Sequence, residues 1–279
     1  MLKKLMAASL LSLTVASPAL SDVTKNKTIV GKALQELFVD KDVTAVDRYF
    51  GPEYIQHNPD VASGTEALKG LAGYLATNEN FNVQSFRMIG EGDLVATHSI
   101  YEGFAEVPLV AFDIFRIEND RIVEHWDNLA PVVTQTANGN SQVDGATEIV
   151  DLDKTADNKA LVEEFVEKVL IKGEQVDLTE YVSPETYIQH NPQVANGLDG
   201  LGAFLKYLGE NQIEFHYTKR HLTVAEGNFV LTASEGVFGD KPQAFYDLFR
   251  VENGLIVEHW DVIADMPGAD AKHNEDGKF

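Results

Sequence analysis

The sequence predicts an α+β fold that is built twice in tandem. Two long segments recur within the chain, and in each copy helical periodicity comes first and strand-like segments follow. That order favours an antiparallel sheet covered by N-terminal helices over a parallel sheet with crossover helices. With 279 residues, 44% of them apolar, the chain is long enough to give both copies a hydrophobic core.

The first 21 residues have the three-part layout of a secretory signal peptide. Lys3 and Lys4 precede an apolar run over residues 5–16, and Ala-Leu-Ser at 19–21 places small residues at the cleavage positions before Asp22. The apolar run is about 12 residues long, which is too short to span a bilayer. We therefore expect cleavage near Ser21 and Asp22, release into the periplasm or the medium, and no membrane insertion of the mature chain.

The charge balance and the lack of cysteine narrow the function classes. The formal net charge is −22, and removing the signal segment would take away two lysines and no acid. So acidic a protein is a poor partner for nucleic acid, because like charges repel. Without cysteine there are no disulfides, thiol nucleophiles or cysteine-bound metals.

Two matching segments define the repeat. YIQHNPDVASG at 54–64 returns as YIQHNPQVANG at 187–197, with nine of eleven positions identical at an offset of 133 residues. DIFRIENDRIVEHWD at 113–127 returns as DLFRVENGLIVEHWD at 247–261, at an offset of 134. The copies therefore stay in register with one inserted residue.

The repeat sets the predicted domain boundaries. After the signal segment 1–21, the first domain covers 22–135 and the second covers 156–279. The polar stretch 136–155 between them has the composition of a linker. It is alternatively an ordered extension, because residues 137–140 align with 271–274 at the same offset.

Three helices are predicted at the start of each copy. In the first copy, apolar residues at helical spacing indicate a helix over 28–38, a short helix over 43–50 and a third helix after Gly64. The second copy shows the same spacing over 161–170 and 201–208.

Four strands are predicted to follow the third helix. Turn residues such as Gly92-Asp93 separate some of them. The predicted strands of the first copy are 81–89, 94–101, 109–117 and 121–129.

The last of these strands has mixed faces. His125 and Asp127 share one face with Val123, while Trp126 lies on the other face with Glu124. A sheet with one solvated face would alternate more cleanly between apolar and polar residues. We therefore expect both faces to be covered, one by helices and a pocket and the other by the second copy.

The motifs YIQHNP, D-[IL]-FR-x-EN and IVEHWD, together with the helix-first plan, resemble the SnoaL-like polyketide cyclase family of the nuclear transport factor two-like superfamily. The resemblance covers almost all of both copies. It implies two cone-shaped domains, each a strongly curved sheet wrapped around helices with an apolar pocket at the open end. It also implies pairing through the sheets, here between the two copies, with a homodimer as a further assembly.

The resemblance further implies an intramolecular aldol condensation that needs neither a metal nor an organic cofactor. The catalytic base would be Asp113, assisted by His98, and Asp247 would match the base in the second copy. Aligning LVATHS from Leu94 with FVLTAS from Phe229 places Ala233 where the first copy has His98. This departure weakens the expectation of chemistry in the second copy.

The residues around the two aspartates also indicate that they are candidate bases. Asp113 would share a strand face with Phe115, as Asp247 would with Phe249, and an apolar wall raises the basicity of a carboxylate. The alternative is a structural role, in which each aspartate pairs with an arginine, Arg116 or Arg250, or caps a neighbouring backbone amide.

Histidines next to Asn-Pro or Trp complete the candidate set. An imidazole at the turn after YIQ could donate to a developing enolate, or could hold the turn's backbone. Since His and Trp are neighbours on the last strand, only one of them can face the pocket. The candidate acid–base histidines are His57, His125, His190 and His259, and the candidate pocket-lining residues are Tyr54, Trp126, Phe115, Tyr187, Trp260 and Phe249.

Other chemistries have less support. A two-histidine, one-carboxylate metal site could be drawn from His57, His98, Asp113 and His125, but no close ligand spacing such as HxH or HExxH is present. Three hypotheses therefore remain. The chain is a cofactor-independent enzyme of the cyclase, isomerase or epoxide-hydrolase type, or it binds a small hydrophobic or aromatic molecule without turnover, or its second copy only supports the first.

Overall fold

The computed structural model describes residues 20–268 and 276–279. Residues 1–19 of the predicted signal segment lie outside the described residues, as does the stretch 271–274 that aligns with 137–140. No helix in the described part of the chain combines the length and the apolar content needed to cross a membrane.

Each domain begins with helices and continues into four long strands. In the first domain the sequence patterns predicted all four long strands to within two residues at each end. The elements of the first domain are α1 (Leu20–Leu34), a π-helical segment (Gln35–Val39), α2 (Ala45–Tyr49), β1 (Phe50–Gln56), α3 (Thr65–Ala76), β2 (Asn82–Glu91), β3 (Leu94–Glu102), β4 (Leu109–Glu118) and β5 (Arg121–Pro131).

The second domain repeats this order, with a 3₁₀ turn, Leu178–Glu180, in the place of α2. Its elements are α4 (Thr155–Phe165), a π-helical segment (Val166–Ile171), β6 (Ile188–Gln189), α5 (Gly197–Glu210), β7 (Phe215–Glu226), β8 (Phe229–Phe238), β9 (Lys241–Glu252) and β10 (Leu255–Asp265).

The first helix of each domain ends in a π-helical turn that the sequence did not predict. Such wide turns are rare and occur mostly as short insertions, often near functional sites. Phe38 from the first π-helical segment and Val169 from the second line the pockets described below. The wider turn therefore contributes apolar side chains to the pocket wall.

The two sheets have the same strand order, β1-β5-β4-β3-β2 and β6-β10-β9-β8-β7. The four long strands of each sheet are antiparallel, as predicted. The short strands β1 and β6 instead run parallel to the last strands β5 and β10. They enter from the helices rather than from a hairpin, so nothing forces them to reverse direction.

The repeated segment after β1 and β6 forms a closed turn that ends in a glycine. The amide of Gly64 donates to the carbonyl of Tyr54 at 2.8 Å, and Gly197 donates to Tyr187 at the same distance. Both glycines have positive φ, +96° and +81°, a conformation that residues with a β-carbon rarely adopt. The turn delivers the chain to the start of α3 and α5.

The helix-free faces of the two sheets pack against each other in one shared core. Trp126 and Ile114 from the first sheet lie in the same buried cluster as Trp260, Tyr246 and Leu248 from the second. Separate apolar clusters lie between each sheet and its own helices. Both faces of each sheet are therefore covered, which explains the mixed faces of the last strand.

Polar contacts at the edges of this interface are paired across the two domains. Lys27 lies 2.7 Å from Glu226, and Lys159 lies 2.8 Å from Glu91. At the centre, the Asn128 side-chain amide donates to two backbone carbonyls of the second sheet at 2.7 and 3.0 Å. The chain thus forms an internal pseudo-dimer.

The stretch between the domains is docked on the second domain. The amide of Ala137 donates to the carbonyl of Pro192 at 2.8 Å, and the Asn138 side chain donates to the carbonyls of Asn191 and Val194. Val143 is buried in the shared core. Residues 137 and 138 thus contact the second domain, and Val143 packs between the two sheets.

Candidate functional site

In both domains an apolar pocket lies between the helices and the sheet. The first pocket has about 50 Å³ of space for water molecules and the second about 90 Å³, so each has room for several. The walls are mostly Leu, Phe and Val, and the polar groups come from equivalent strands in the two domains. In the first pocket the polar groups are Tyr54, Gln56, Asn58, Tyr101, Asp113, His125 and Asp127.

Asp113 lies at the centre of the first site. It is 2% exposed, and its Oδ1 accepts from the Tyr101 hydroxyl at 3.0 Å and lies 3.2 Å from His125 Nε2. Its Oδ2 accepts from the Thr97 hydroxyl at 3.2 Å. Arg116 pairs with Glu124 and Asp93 instead. In the second copy Arg250 pairs with Glu252 and Glu258. The arginine-pair alternative is therefore wrong for both aspartates.

His125 is oriented by the repeated YIQHNP segment. Its Nδ1 lies 3.0 Å from the Gln56 side-chain oxygen, because the Gln56 amide group donates to the Tyr54 hydroxyl at 3.1 Å. Both ring nitrogens thus face acceptors, Gln56 on one side and Asp113 on the other. The two contacts fix the orientation of the imidazole ring.

A second carboxylate lies on the same face of β5. Asp127 accepts from the Asn58 side chain at 2.7 Å, and its other oxygen lies 3.6 Å from the ammonium of Lys278, near the end of the described chain. The first site therefore contains two carboxylates, one imidazole and one ammonium.

The second site repeats most of this arrangement. Asp247 Oδ1 lies 3.1 Å from His259 Nε2, and His259 Nδ1 lies 2.9 Å from the Gln189 side-chain oxygen. Asp261 accepts from the Asn191 side chain at 2.6 Å. Within residues 20–268 and 276–279, no lysine or arginine pairs with Asp261.

The phenol that contacts the central aspartate comes from different strands in the two domains. In the first it is Tyr101 on β3, which is paired with Val83 on β2. In the second it is Tyr217 on β7, whose hydroxyl lies 3.0 and 3.1 Å from the two oxygens of Asp247. Tyr217 is paired with Gly236, which takes the place of Tyr101.

A glycine is required opposite Tyr217. A β-carbon added at Gly236 would lie 2.3 Å from the carbonyl oxygen of His216 and 2.8 Å from the Cα of Tyr217. The Val–Tyr pair of the first domain has thus become a Tyr–Gly pair in the second. Both arrangements place a phenol hydroxyl on the aspartate.

Burial shifts the proton equilibria of the phenols and of the second site. Desolvation raises the pKa of Tyr54, Tyr101 and Tyr217 well above the usual value, and the nearby carboxylates add to the rise. All three phenols therefore stay protonated and can donate.

In the second site, burial followed by the charge of Asp247 raises the pKa of Asp261 to about 6, although His259 opposes the rise. The pKa of His259 is also raised. Burial lowers it, but the hydrogen bond to Asp247 and the two nearby carboxylate charges outweigh that effect. Asp261 can thus carry a proton in mildly acidic solution.

His98 does not lie in the pocket. Because Thr97 is the residue paired with Asp113, strand alternation turns His98 to the opposite face of the sheet. There it stacks on Phe112 at 4.2 Å and lies 3.2 Å from Arg87. Burial, together with the charge of Arg87, lowers its pKa well below the usual value. The expected assistance of Asp113 by His98 is therefore wrong.

His57 and His190 also lie outside the pockets. His57 stacks on Trp126 at 4.9 Å with its Nε2 2.9 Å from Glu124, and His190 stacks on Trp260 at 4.6 Å with its Nε2 2.9 Å from Glu258. The two tryptophans face the shared core because the neighbouring His125 and His259 face the pockets. The expected pocket roles of His57, His190, Trp126 and Trp260 are thus corrected, whereas Tyr54, Phe115, Tyr187 and Phe249 line the pockets.

The sequence patterns did not indicate several of the residues that form the sites. Gln56 and Asn58 flank the histidine of YIQHNP and alternate with it, so a signal for them was present in the motif. Asp127 ends the EHWD motif on the same face as His125. Tyr101 and Tyr217 carry no such signal, because they do not occupy matching positions in the two copies.

The carboxylate and imidazole atoms also lie close enough together to surround a cation. One ligand atom each from Asp113, His125 and Asp127 lie within 4.8 Å of one another, as do those from Asp247, His259 and Asp261. In both sets, however, the central aspartate and the imidazole already share a hydrogen bond with each other. The geometry favours a proton-transfer network.

Comparisons with solved structures return proteins that match about one domain of this chain. TsrD from Streptomyces laurentii is 21% identical over 38% of this chain and 88% of its own, with a TM-score of 0.34. An LEH-like epoxide hydrolase of M. tuberculosis is 21% identical over 38% and 79%, with a TM-score of 0.34. A steroid delta-isomerase from Pseudomonas aeruginosa is 17% identical over 38% and 80%, with a TM-score of 0.32.

No curated protein sequence matches this chain. The model of the SnoaL-like domain family matches residues 32–125 and 162–259, which is more than half of the chain and one segment in each domain. The chain therefore belongs to the SnoaL-like domain family and contains two tandem copies of its domain.

Proposed function

We propose that this protein is a cofactor-independent acid–base enzyme of the cyclase or isomerase type, acting on a small apolar or polyketide-like carbonyl compound. The observation that carries the proposal is the buried Asp–His–Tyr network at the base of an apolar pocket, present in both domains although the phenol comes from different strands. Both domains keep these contacts although the tyrosine comes from different strands, as expected if the reaction requires them.

In the proposed reaction, the Asp113 carboxylate removes a proton from the carbon next to the substrate carbonyl. The electron pair of that C–H bond moves to the carbonyl oxygen and forms an enolate. The hydroxyl of Tyr54, which lines the pocket, donates a hydrogen bond to that oxygen. Return of that proton from Asp113 to another carbon of a conjugated enolate gives an isomer. Alternatively, the enolate carbon attacks a second carbonyl, the π bond of that carbonyl breaks, and the resulting alkoxide takes the proton from Asp113 to give the aldol product.

Tyr101 and His125 hold Asp113 in place throughout the cycle. Both donate to the same carboxylate oxygen, which leaves the other oxygen, hydrogen-bonded only to Thr97, as the one that takes the proton. The second site has the matching groups in Asp247, Tyr217 and His259. The difference at His98 and Ala233 lies in the shared core, so it gives no reason to treat the second site as inactive.

Exchange of carbon-bound hydrogen for deuterium tests the proposal without a known substrate. The protein is incubated in D₂O with a panel of apolar ketones and 1,3-dicarbonyl compounds, and exchange at the α-carbon is followed by NMR. We expect exchange above the buffer rate with the native protein and a loss of roughly 10²-fold or more in the Asp113→Asn/Asp247→Asn variant. Asp240→Asn, at an exposed turn, serves as the matched control.

Two outcomes contradict the proposal: equal exchange by the double variant, or no exchange with any compound of the panel. In the second case, mass spectrometry of small molecules that co-purify with the native protein tests the alternative, a binder of a hydrophobic ligand. That alternative predicts a ligand that is recovered unchanged after long incubation.

Export is the second part of the proposal and rests on the N-terminal segment alone. We propose that cleavage before Asp22 releases the mature protein into the periplasm or the medium. N-terminal sequencing of the protein recovered from the native host should begin at or near Asp22. A cytoplasmic protein that retains Met1 or Leu2 would contradict it.

A further inference from the structure

Two short segments cross from one domain to the other at matching places. We call residues 141–144 strap 1 and residues 276–279 strap 2. Strap 1 follows the first domain and its Ser141 carbonyl accepts from His190 Nδ1 at 2.8 Å, whereas strap 2 follows the second domain and its Gly277 carbonyl accepts from His57 Nδ1 at 3.0 Å. His57 and His190 are the histidines of the two YIQHNP motifs.

The far ends of the straps also dock on equivalent strands. In strap 1 the carbonyl of Val143 accepts from Arg87 on β2 at 3.0 Å. In strap 2 the ring of Phe279 stacks on His221 of β7 at 4.1 Å. Strap 1 therefore contacts His190 of the second domain and β2 of the first, whereas strap 2 contacts His57 of the first domain and β7 of the second.

The residue between these two docking points differs in charge. In strap 2 it is Lys278, which is 7% exposed and whose ammonium lies 3.6 Å from Asp127 Oδ1. In strap 1 it is Gln142, which is equally buried and whose side-chain oxygen accepts from the Val133 amide at 2.7 Å. The second site thus has a neutral side chain in the strap where the first has a cation.

From this geometry, and on the basis of the proposed function, we infer that strap 2 completes the first site and that Lys278 is a positioning residue that places a positive charge beside Asp127. In the first site, Asn58 and Lys278 then hold one oxygen each of the Asp127 carboxyl group. In the second site, no lysine or arginine of the described residues pairs with Asp261, which can supply a proton to the product in mildly acidic solution.

Other charged and titratable groups face these two carboxylates as well. Around Asp127 lie the neutral donor Asn58 and the groups Tyr54, Tyr101, Asp113, His125, Tyr246 and Lys278. Around Asp261 lie the neutral donor Asn191 and the groups Tyr187, Tyr217, Asp247, His190 and His259. The phenols and carboxylates have counterparts in the two sets, apart from Tyr246. Of the basic groups, Lys278 faces only Asp127 and His190 faces only Asp261, and Asp60 is a further carboxylate near Lys278.

The first test needs no substrate. Burial lowers the pKa of Lys278, and the charge of Asp127 partly offsets this. In full-length protein labelled with ¹⁵N at lysine Nζ, Asp127→Asn should lower the titration midpoint of Lys278 by about one unit or more, because an opposite charge is lost. Asp261→Asn, the matched change in the other site, should leave that midpoint unchanged. An unchanged midpoint in Asp127→Asn would overturn the inference.

The reciprocal change tests the same idea in the second site and does not depend on the stability of the first variant. Gln142→Lys places an ammonium in strap 1, and it should lower the titration midpoint of Asp261, measured by ¹³C NMR, from about 6 by about one unit or more. Gln142→Met is the uncharged control. If the lysine variant and the methionine variant give the same midpoint, strap 1 does not control the charge of Asp261 and the inference is wrong.

A pH profile joins the inference to the reaction. The Asp247→Asn variant leaves only the first site able to exchange deuterium, and the Asp113→Asn variant leaves only the second. Adding Lys278→Gln to Asp247→Asn should move the pH profile of exchange at the first site toward the profile measured in Asp113→Asn. An unmoved profile contradicts the role of Lys278 in the reaction. Because the two NMR titrations do not depend on turnover, failure of the proposed reaction and failure of the strap inference give different results.

Discussion

The two domains contain the same Asp–His pair but differ in how they hold it. In the first, Tyr101 and Thr97 donate to separate oxygens of Asp113. In the second, Tyr217 reaches both oxygens of Asp247, and the equivalent Thr232 hydroxyl has no hydrogen-bond partner within the described residues. A duplicated site can therefore exchange its supporting residues while keeping the central contact.

The largest expected effect comes from removing one base at a time. Asp113→Asn should remove the deuterium exchange carried by the first site, and Asp247→Asn that carried by the second, each by roughly 10²- to 10⁴-fold for its own site. Rates measured by NMR in the two single variants should sum to the native rate if the pockets act independently. A single variant that loses all exchange would show that one domain only supports the other.

Substitution of Asp127 and of Asp261 should change the free energy of unfolding in opposite directions. Asp127→Asn leaves the buried Lys278 without its partner and should destabilise the protein by about 3 kcal/mol. Asp261→Asn should instead stabilise it at pH 7.5 by up to about 3 kcal/mol, since the buried carboxylate no longer has to ionise. Urea denaturation at fixed pH measures both changes.

The pH dependence separates this effect from a packing change. The folded pKa of Asp261, about 6, lies above the usual value of 3.8, so its stabilising contribution is fully present below pH 3.8 and is lost as the pH rises through 6. The gain in Asp261→Asn should therefore vanish near pH 4. A gain of equal size at pH 4 and pH 7.5 would mean that charge is not its cause.

The next largest effect on stability is expected at the Tyr217–Gly236 pair of the second domain. Gly236→Ala places a β-carbon against the backbone beside Tyr217 and should lower the free energy of unfolding by about 1–3 kcal/mol, with displacement of Tyr217 from Asp247. Gly209→Ala is the control, because nothing lies near its β-carbon in α5 and alanine favours the helix. Equal stability of the two variants in thermal melting would contradict the close contact.

The smallest effect is expected at the edges of the domain interface. Glu91→Gln and Glu226→Gln each weaken a partly buried pair with a lysine of the other domain and should cost about 1 kcal/mol or less, with the cost reduced in high salt. The exposed Lys206–Glu210 pair lies within one domain at 3.7 Å, so Glu210→Gln should change nothing measurable. A larger loss in Glu210→Gln than in Glu91→Gln would contradict this ranking.

Much of the fold was predictable because it depends on local patterns. Hydrophobic spacing predicted the helices and the four long strands, and the mixed faces of the last strand indicated that both sides of the sheet are covered. The parallel direction of β1 was not predictable, since it depends on where the helices bring the chain rather than on the strand's own residues. The π-helical turns likewise follow from packing rather than from spacing.

The site was less predictable because strand register decides which side chains meet. On β5, His125 is paired with Phe115, which lies two positions from Asp113 on β4, so strand alternation places His125 and Asp113 on one face. The orientation of His98 could be predicted only by knowing that Thr97 is the residue paired with Asp113. The contact between Lys278 and Asp127 could not be predicted, because the two residues lie 151 positions apart in the sequence. Contacts of this kind depend on the packed arrangement of both domains.

The crossing of the two straps has a consequence for the order in which the molecule can mature. Chains generally fold domain by domain from the N-terminus during synthesis. The first domain can form its sheet and helices early, but its Asp127 meets Lys278 only after the whole second domain has been made and packed. The site that is translated first is therefore the last to be finished, and a chain cut short before strap 2 would carry a folded but incomplete first pocket.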